Sequence, residues 1–132
     1  MANYDLRARD IMQVEIASVP PETTVLDAAL IMKREGVRSL IVDRVDPDDA
    51  YGIITYSDIV SKVLAWGMEP GEVTVEEIMI KPLVVVNANL KVEYVARLFA
   101  QTGIGHAPVI SDHKLVGVIS KTDLIVEIVT ED

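Results

Sequence analysis

An internal duplication constrains the fold of this 132-residue chain more than any other feature. Gly36 recurs 67 positions later as Gly103, and the stretch GIITYSDIV at residues 52–60 recurs 65 positions later as GVISKTDLI at residues 117–125. The first copy therefore carries two extra residues, which fall in the acidic loop DRVDPDDAY, where insertions are tolerated best. The sequence predicts two copies of one small supersecondary unit.

Each copy has the same order of predicted elements. A short helical turn ending in DIM or EIM leads to a brief strand, IASV or LVVV. An amphipathic helix comes next, followed by a strand in SLIVD or APVIS, a strand in YGIIT or LVGVIS, and a closing helix from Ser57 or Thr122. Strand, helix, strand, strand and helix in about 60 residues give a small α/β unit with a three-stranded sheet.

The amphipathic helix of the first copy is predicted from Val25 to Glu35. Four of its residues follow the i, i+3, i+4, i+7 spacing of one buried face: Val25, Ala28, Ala29 and Met32. Thr24 and Asp27 have the spacing of a capping box at its start, and Gly36 suits a left-handed C-terminal position. In the second copy the helix is predicted from Val92 to Thr102, with Asn89 as its N-cap and Gly103 at its end.

The predicted fold class is α/β (α+β), with two repeated β-α-β-β-α units packed through their sheets about a pseudo-two-fold axis. The predicted domains are residues 7–66 and 73–130, joined by a linker at residues 67–72. The closing helices carry too many apolar residues for isolated surface helices, so they are expected to pack around that axis and partly against a second chain. These residues are Ile59, Val60, Val63 and Leu64 in the first copy and Leu124, Ile125 and Ile128 in the second.

The charge of the chain restricts its partners. The formal net charge is −9, so binding to a nucleic-acid backbone or an anionic membrane is not expected, because both depend on clustered Lys and Arg. There is no cysteine, no apolar core of a signal peptide at the start, and no apolar run near the roughly 20 residues that a membrane helix needs. The chain is therefore predicted to be soluble and cytoplasmic.

The repeated motif allows two interpretations. Thr55 with Asp58, and Ser120 with Asp123, have the S/T-x-x-D spacing of a capping box that needs no ligand. The motif also lies where a strand ends and a helix begins, which is where α/β sheets place ligands. Gly52 allows close backbone approach at this point, as does its counterpart Gly117, and the carboxylate could accept hydrogen bonds from a vicinal diol.

The double pattern resembles a tandem pair of cystathionine beta-synthase (CBS) domains, often called a Bateman module. The resemblance rests on the DIM and EIM openings, the centres TTVLDAALIMKREGVRSLIV and GIGHAPVI, and the endings GIITYSDIV and GVISKTDLIV. It covers about residues 7 to 130 and implies that adenosyl ligands bind in clefts between the repeats.

The resemblance also implies roles for single residues. Asp58 and Asp123 would hold the ribose, assisted at the helix starts by Thr55, Ser57, Ser120 and Thr122. The base would lie near Ser18 and Val85, and the phosphates near Arg38 and His106, with Lys121 as a further candidate. Two alternatives stay open: Arg38 could pair with a surface carboxylate, and His106 could be an ordinary loop histidine.

A metal site is not expected. Asp46, Asp48 and Asp49 cluster in one loop, but they lack the spacing and the glycine of an EF-hand, which favours a solvated turn.

The predicted function is regulatory: a module that binds AMP, ADP, ATP or S-adenosylmethionine, requires no other cofactor, forms a homodimer and signals to a regulated protein partner. The alternative is a purely structural dimerisation module without a nucleotide. An enzyme is not expected, because the chain has two histidines, no cysteine and no Walker A, GxSxG or HExxH motif. The two aspartates repeat each other as duplicated binding sites would, instead of taking separate acid and base roles.

Overall fold

The structure is a computed structural model that describes residues 2–81 and 84–130. The first half contains α1 (Ala8–Ile11), β1 (Ser18–Val19), α2 (Val25–Glu35), β2 (Ser39–Val42), β3 (Gly52–Thr55) and α3 (Tyr56–Lys62). The second half contains α4 (Val75–Ile78), β4 (Val86–Asn87), α5 (Val92–Thr102), β5 (His106–Ser111), β6 (Lys114–Ser120) and α6 (Lys121–Leu124), which continues as a π-helical turn at Ile125–Val129. Two 3₁₀ turns, Leu64–Trp66 and Pro70–Glu72, lie between the halves.

The predicted order of elements is confirmed in both copies. The bounds of α2 and α5 are as predicted, and the closing helices begin one residue earlier than predicted, at Tyr56 and Lys121. The opening strands β1 and β4 are only two residues long, and Leu83 of the predicted LVVV strand lies outside the described residues.

Each copy forms a three-stranded sheet of the same topology. The strand orders are β1-β2-β3 and β4-β5-β6, with the first pair parallel and the second pair antiparallel in each sheet. Ser39 lies opposite Thr55 in the first sheet, and His106 lies opposite Ser120 in the second. The residues before β2 and β5 therefore lie beside the starts of α3 and α6.

The helix caps explain most of the predicted boundaries. Thr24 Oγ1 accepts a hydrogen bond from the Asp27 N–H at 3.1 Å, and Gly36 ends α2 with a φ of 68°. The prediction of Asn89 as the cap of α5 is wrong, because Lys91 holds that position without a side-chain cap hydrogen bond. Asn89 instead accepts from Arg9 Nη1 at 2.6 Å through its Oδ1 atom.

The described residues fall into two compact units that do not follow the sequence repeat. The middle unit begins at Ala17 and contains α4, whereas the terminal unit combines the chain up to Ile16 with the chain from Val84. The short helix that opens each sequence copy thus belongs to the unit built around the other copy. The predicted domain boundaries describe the repeat in the sequence and stay a prediction.

Each unit has its own cluster of buried residues. The terminal cluster places α1 residues in the core of the second copy: Ala8, Ile11, Val86, Ala88, Val92, Val95, Phe99, Ala107, Val109, Ile119, Leu124 and Ile128. The middle cluster places α4 and the segment before it in the core of the first copy: Val19, Val25, Ala28, Met32, Leu40, Val42, Ile54, Ile59, Val63, Val73, Val75 and Ile78. The predicted buried face of α2 is confirmed for Val25, Ala28 and Met32, and Ala29 is half-buried.

The two glycines of the repeated motif, Gly52 and Gly117, lie against the residues that follow the short opening helices α4 and α1. A Cβ atom at Gly117 would lie 2.6 Å from Met12 Sδ and 2.9 Å from the Gln13 carbonyl oxygen. A Cβ atom at Gly52 would lie 2.5 Å from Met79 Sδ. The close approach inferred from these glycines is thus made by the chain itself.

Alanine at these two glycines is expected to have unequal effects. Gly117→Ala should lower the free energy of unfolding by about 2 to 3 kcal/mol, because the Gln13 backbone cannot move without breaking its pairing with Val118. Gly52→Ala should cost about 1 kcal/mol less, because a methionine thioether can change rotamer. Urea unfolding of both variants measures the difference, and a larger loss in Gly52→Ala would contradict this account.

Candidate functional site

Asp58 lies at the third position of α3 and is buried, with 6% of its surface exposed. Its Oδ2 atom accepts hydrogen bonds from the Thr55 N–H at 2.9 Å and from Thr55 Oγ1 at 3.1 Å. Its Oδ1 atom lies 3.3 Å from Lys62 Nζ, and the same ammonium group donates to the Ile78 carbonyl at 2.8 Å. The capping box is complete, and the second carboxylate oxygen, Oδ1, forms an ion pair with Lys62.

Asp123 has the same position in α6 and is also buried, with 4% of its surface exposed. Its Oδ2 atom accepts from the Ser120 N–H at 2.8 Å and from Ser120 Oγ at 3.0 Å. Its Oδ1 atom accepts from Gln13 Nε2 at 3.0 Å. A neutral amide therefore takes the place that an ammonium group takes beside Asp58.

The sequence repeat explains why the two partners differ. The counterpart of Lys62, 65 positions later, is the exposed Glu127, and the counterpart of Gln13, 67 positions later, is Ile80. Gln13 and Ile80 have equivalent backbone positions, since Gln13 pairs with Val118 and Ile80 pairs with Ile53. Each unit therefore supplies a donor to its carboxylate from a position where the other unit has none, and both donors belong to the first sequence copy.

Neither of these donors was identified from the sequence. Lys62 could have been found, because Asp58 and Lys62 have the i, i+4 spacing of a helical ion pair. Gln13 could not have been found by spacing, because it lies 110 positions before Asp123 and reaches it only through the exchange of the opening segments.

The other predicted residues of the middle unit are Ser18, Arg38 and Ser57, and all three are exposed. The pairing of Ser39 with Thr55 places Arg38 beside the start of α3. Within residues 2–81 and 84–130, the side chain of Arg38 makes no hydrogen bond or ion pair, so its pairing with a surface carboxylate is not observed there. Ser18 opens β1, on the edge of the sheet away from β3.

The terminal unit holds the remaining predicted residues. His106 is half-buried and lies opposite Ser120, and the Lys121 N–H donates to the Gly105 carbonyl at 3.0 Å. These contacts bring the start of β5 and the start of α6 together. Thr122 is exposed on α6, and Val85 is exposed just before β4.

The acidic loop between β2 and β3 is held by its own hydrogen bonds. Asp46 Oδ1 accepts from the Asp48 N–H at 2.8 Å, and the Asp49 carboxylate accepts from Lys81 Nζ and from the backbone N–H groups of Val45 and Ala50. The hydrogen bond from Lys81 lowers the pKa of the Asp49 carboxyl below its ordinary value, and the two backbone donors add to this effect. Over residues 2–81 and 84–130 no group of three or more acidic, histidine or cysteine side chains could hold a metal ion.

Removal of Lys81 is expected to flatten the acid dependence of stability. A carboxyl whose pKa is lowered by folding stabilises the protein above its unfolded pKa, and this contribution is lost as the pH falls through the folded value. In Lys81→Met the pKa of Asp49 should rise toward its ordinary value, so stability should fall less between about pH 5 and pH 2. Urea midpoints across this range measure the slope, and Lys33→Met on α2 is the charge-matched control. Equal slopes in the two variants would contradict the assignment.

The CBS domain family pattern matches residues 8–65 and 75–130, once in each copy of the repeat. The chain belongs to the CBS domain family. CBS domain pairs of this type are generally regulatory, ligand-binding modules without catalysis. None of the described helices is both long and apolar enough to cross a membrane.

Solved structures and curated proteins show the same relationship. Two structures of a hexameric CBS-CP12 protein from bloom-forming cyanobacteria superpose with TM-scores of 0.87 and 0.88, at 49% and 47% identity. They cover 91% and 96% of this CBS pair, which spans 66% and 72% of those chains. Hypoxic response protein 1 of Mycobacterium tuberculosis is 32% identical over 117 residues, which is 89% of this chain and 81% of that protein.

Some relatives are longer than this chain. An uncharacterized protein of Methanopyrus kandleri is 28% identical over 117 residues, which is 88% of this chain but 59% of that protein. A crystal structure of Hypoxic Response Protein I, which has two coordinated zinc ions, is 30% identical to this chain and superposes with a TM-score of 0.73. The match covers 93% of this chain and 99% of the chain in that structure.

Proposed function

We propose that this CBS pair is a cytoplasmic regulatory module that binds an adenosyl ligand through Asp58 and Asp123. One observation carries the proposal: two buried carboxylates occupy equivalent positions at two helix starts, next to backbone N–H groups and exposed polar side chains. Each carboxylate accepts from its capping box through Oδ2, so a ribose hydroxyl would bind by sharing Oδ1 with its present partner or by replacing that partner. The chain itself is proposed to have no enzymatic activity.

The charges around the two aspartates favour a ligand with few phosphates. Lys62 lies 3.3 Å from Asp58, Arg38 precedes β2 beside the start of α3, and Lys121 is the first residue of α6. This small number suits AMP, ADP or the sulfonium of S-adenosylmethionine better than fully charged ATP. No further cofactor is required by the proposal.

Isothermal titration with AMP, ADP, ATP and S-adenosylmethionine tests the proposal. A ligand that binds the native state should also raise the free energy of unfolding, by about 2.7 kcal/mol at a hundredfold excess over the dissociation constant. A parallel thermal shift assay measures this gain. Neither heat nor a thermal shift with any of the four ligands would overturn the proposal.

We also propose that the module forms a homodimer and presents a surface to a regulated protein. Large apolar side chains are exposed in the residues that follow Asp58 and Asp123: Val60, Leu64 and Trp66 in the middle unit, and Ile125, Val126 and Val129 in the terminal unit. Exposed apolar patches of this kind mark association surfaces. Sedimentation over a concentration series measures the mass, and a monomer at every concentration would contradict this step.

The completeness of both capping boxes supports a second candidate, a structural dimerisation module without a nucleotide. In this case Lys62 and Gln13 permanently satisfy the carboxylates. This candidate predicts association without any thermal shift by adenosyl ligands, so the same two measurements separate it from the first.

A further inference from the structure

The two carboxylates have the same position in their helices but different second partners. Asp58 Oδ1 faces an ammonium group, Lys62 Nζ, and Asp123 Oδ1 faces a neutral amide, Gln13 Nε2. Both Oδ2 atoms are used by the capping boxes, so Oδ1 is the atom that a ligand hydroxyl would have to share. A difference at Oδ1 is therefore a difference in what each carboxylate can offer to a diol.

Lys62 is also held more firmly than Gln13. Its ammonium group bridges Asp58 and the Ile78 carbonyl at the end of α4, so moving it away breaks two interactions. The Gln13 side chain is exposed, and its amide makes one hydrogen bond, to Asp123. Lys62 is attracted to the Asp58 carboxylate as a charged partner in an ion pair, whereas Gln13 binds Asp123 as a neutral donor, so Asp58 gives up its partner less readily than Asp123 does.

We infer that Lys62 and Gln13 are positioning residues that give the two carboxylates unequal affinities for a diol. The site at Asp123 binds an uncharged nucleoside more tightly than the site at Asp58. The inference rests on the proposed function, since it concerns a ribose diol at these carboxylates. It goes beyond that function because it assigns the two halves different affinities and names the residues that set them.

Adenosine is the probe, because it carries the diol without a phosphate. The N–H groups of Thr55 and Ser120 donate to Asp58 and Asp123, so their amide resonances report on each carboxylate separately. In the native protein the Ser120 resonance should shift at a lower adenosine concentration than the Thr55 resonance. In Lys62→Gln, which gives Asp58 a neutral side chain, the concentration needed at Thr55 should fall by about tenfold, and Ser120 should be unchanged.

Three further variants separate positioning from structure and from net charge. Lys62→Arg keeps the cation and should titrate like the native protein. Gln13→Lys should weaken the affinity for adenosine, measured at the Ser120 resonance, by about tenfold, because it places a cation beside Asp123. Lys33→Gln removes a charge on the exposed side of α2 and should change neither resonance.

The outcomes are distinct. Equal adenosine affinity at the two resonances of the native protein, or equal effects of Lys62→Gln and Lys33→Gln, would overturn this inference and leave the proposed function standing. No shift at either resonance with adenosine, AMP, ADP, ATP or S-adenosylmethionine, in the native protein and in Lys62→Gln, would overturn both.

Discussion

Ile11→Ala is expected to weaken the core of the second sequence copy, and Ile78→Ala the core of the first. Ile11 and Ile78 are each 5% exposed, and each packs in the cluster of the opposite copy. Truncation of a buried isoleucine to alanine removes apolar contacts and leaves a cavity, which costs about 2 to 4 kcal/mol. This is a large part of the total stability of a chain of this size, about 5 to 15 kcal/mol.

Amide hydrogen exchange locates each loss. In Ile11→Ala, exchange should accelerate in α5, at Val95 and Phe99, more than in α2. In Ile78→Ala the order should reverse, with the larger change at Met32. The matched variants Ile11→Val and Ile78→Val should show the same pattern at about 0.5 to 1.5 kcal/mol. Faster exchange confined to α2 in Ile11→Ala would show that each opening helix serves its own copy.

The packing of each opening helix on the opposite copy shows which parts of the fold the sequence could predict and which it could not. The order of elements, α2, α5 and their C-terminal glycines follow from local patterns of apolar spacing and capping, which the sequence displays directly. The destination of α1 and α4 depends on long-range packing, and a repeat looks the same whether its opening helix packs on its own copy or on the other. The wrong prediction of Asn89 as a helix cap has a similar origin, because its side chain accepts a hydrogen bond from Arg9 in α1, which is distant in the sequence.

The candidate site divides in the same way. The positions of Asp58 and Asp123 follow from a four-residue motif, and their partners Thr55 and Ser120 follow with them. The burial of both carboxylates and the difference between Lys62 and Gln13 depend on contacts that the motif does not contain. The repeat suggests two identical sites, whereas the structure gives two carboxylates with different surroundings.

Substitution of Asp123 is expected to separate its capping role from ligand binding. Asp123→Asn keeps an oxygen that can accept from the Ser120 N–H, so it should lower the free energy of unfolding by less than about 1 kcal/mol. Asp123→Ala leaves Ser120 and Gln13 without their acceptor and should cost about 1 to 3 kcal/mol. Urea unfolding measures both changes.

Binding should not follow stability across these two variants. A diol donates more strongly to a carboxylate than to an amide oxygen. Both Asp123→Asn and Asp123→Ala should therefore bind adenosyl ligands about 10- to 100-fold more weakly, as measured from the Ser120 resonance. Asp58→Asn and Asp58→Ala provide the same comparison at the Thr55 resonance. If Asp123→Asn binds as the native protein does while Asp123→Ala loses both stability and affinity, the carboxylate acts through the helix cap alone. Loss of affinity in a stable Asp123→Asn variant instead requires the charge of Asp123 at the ligand, because the cap is intact in that variant.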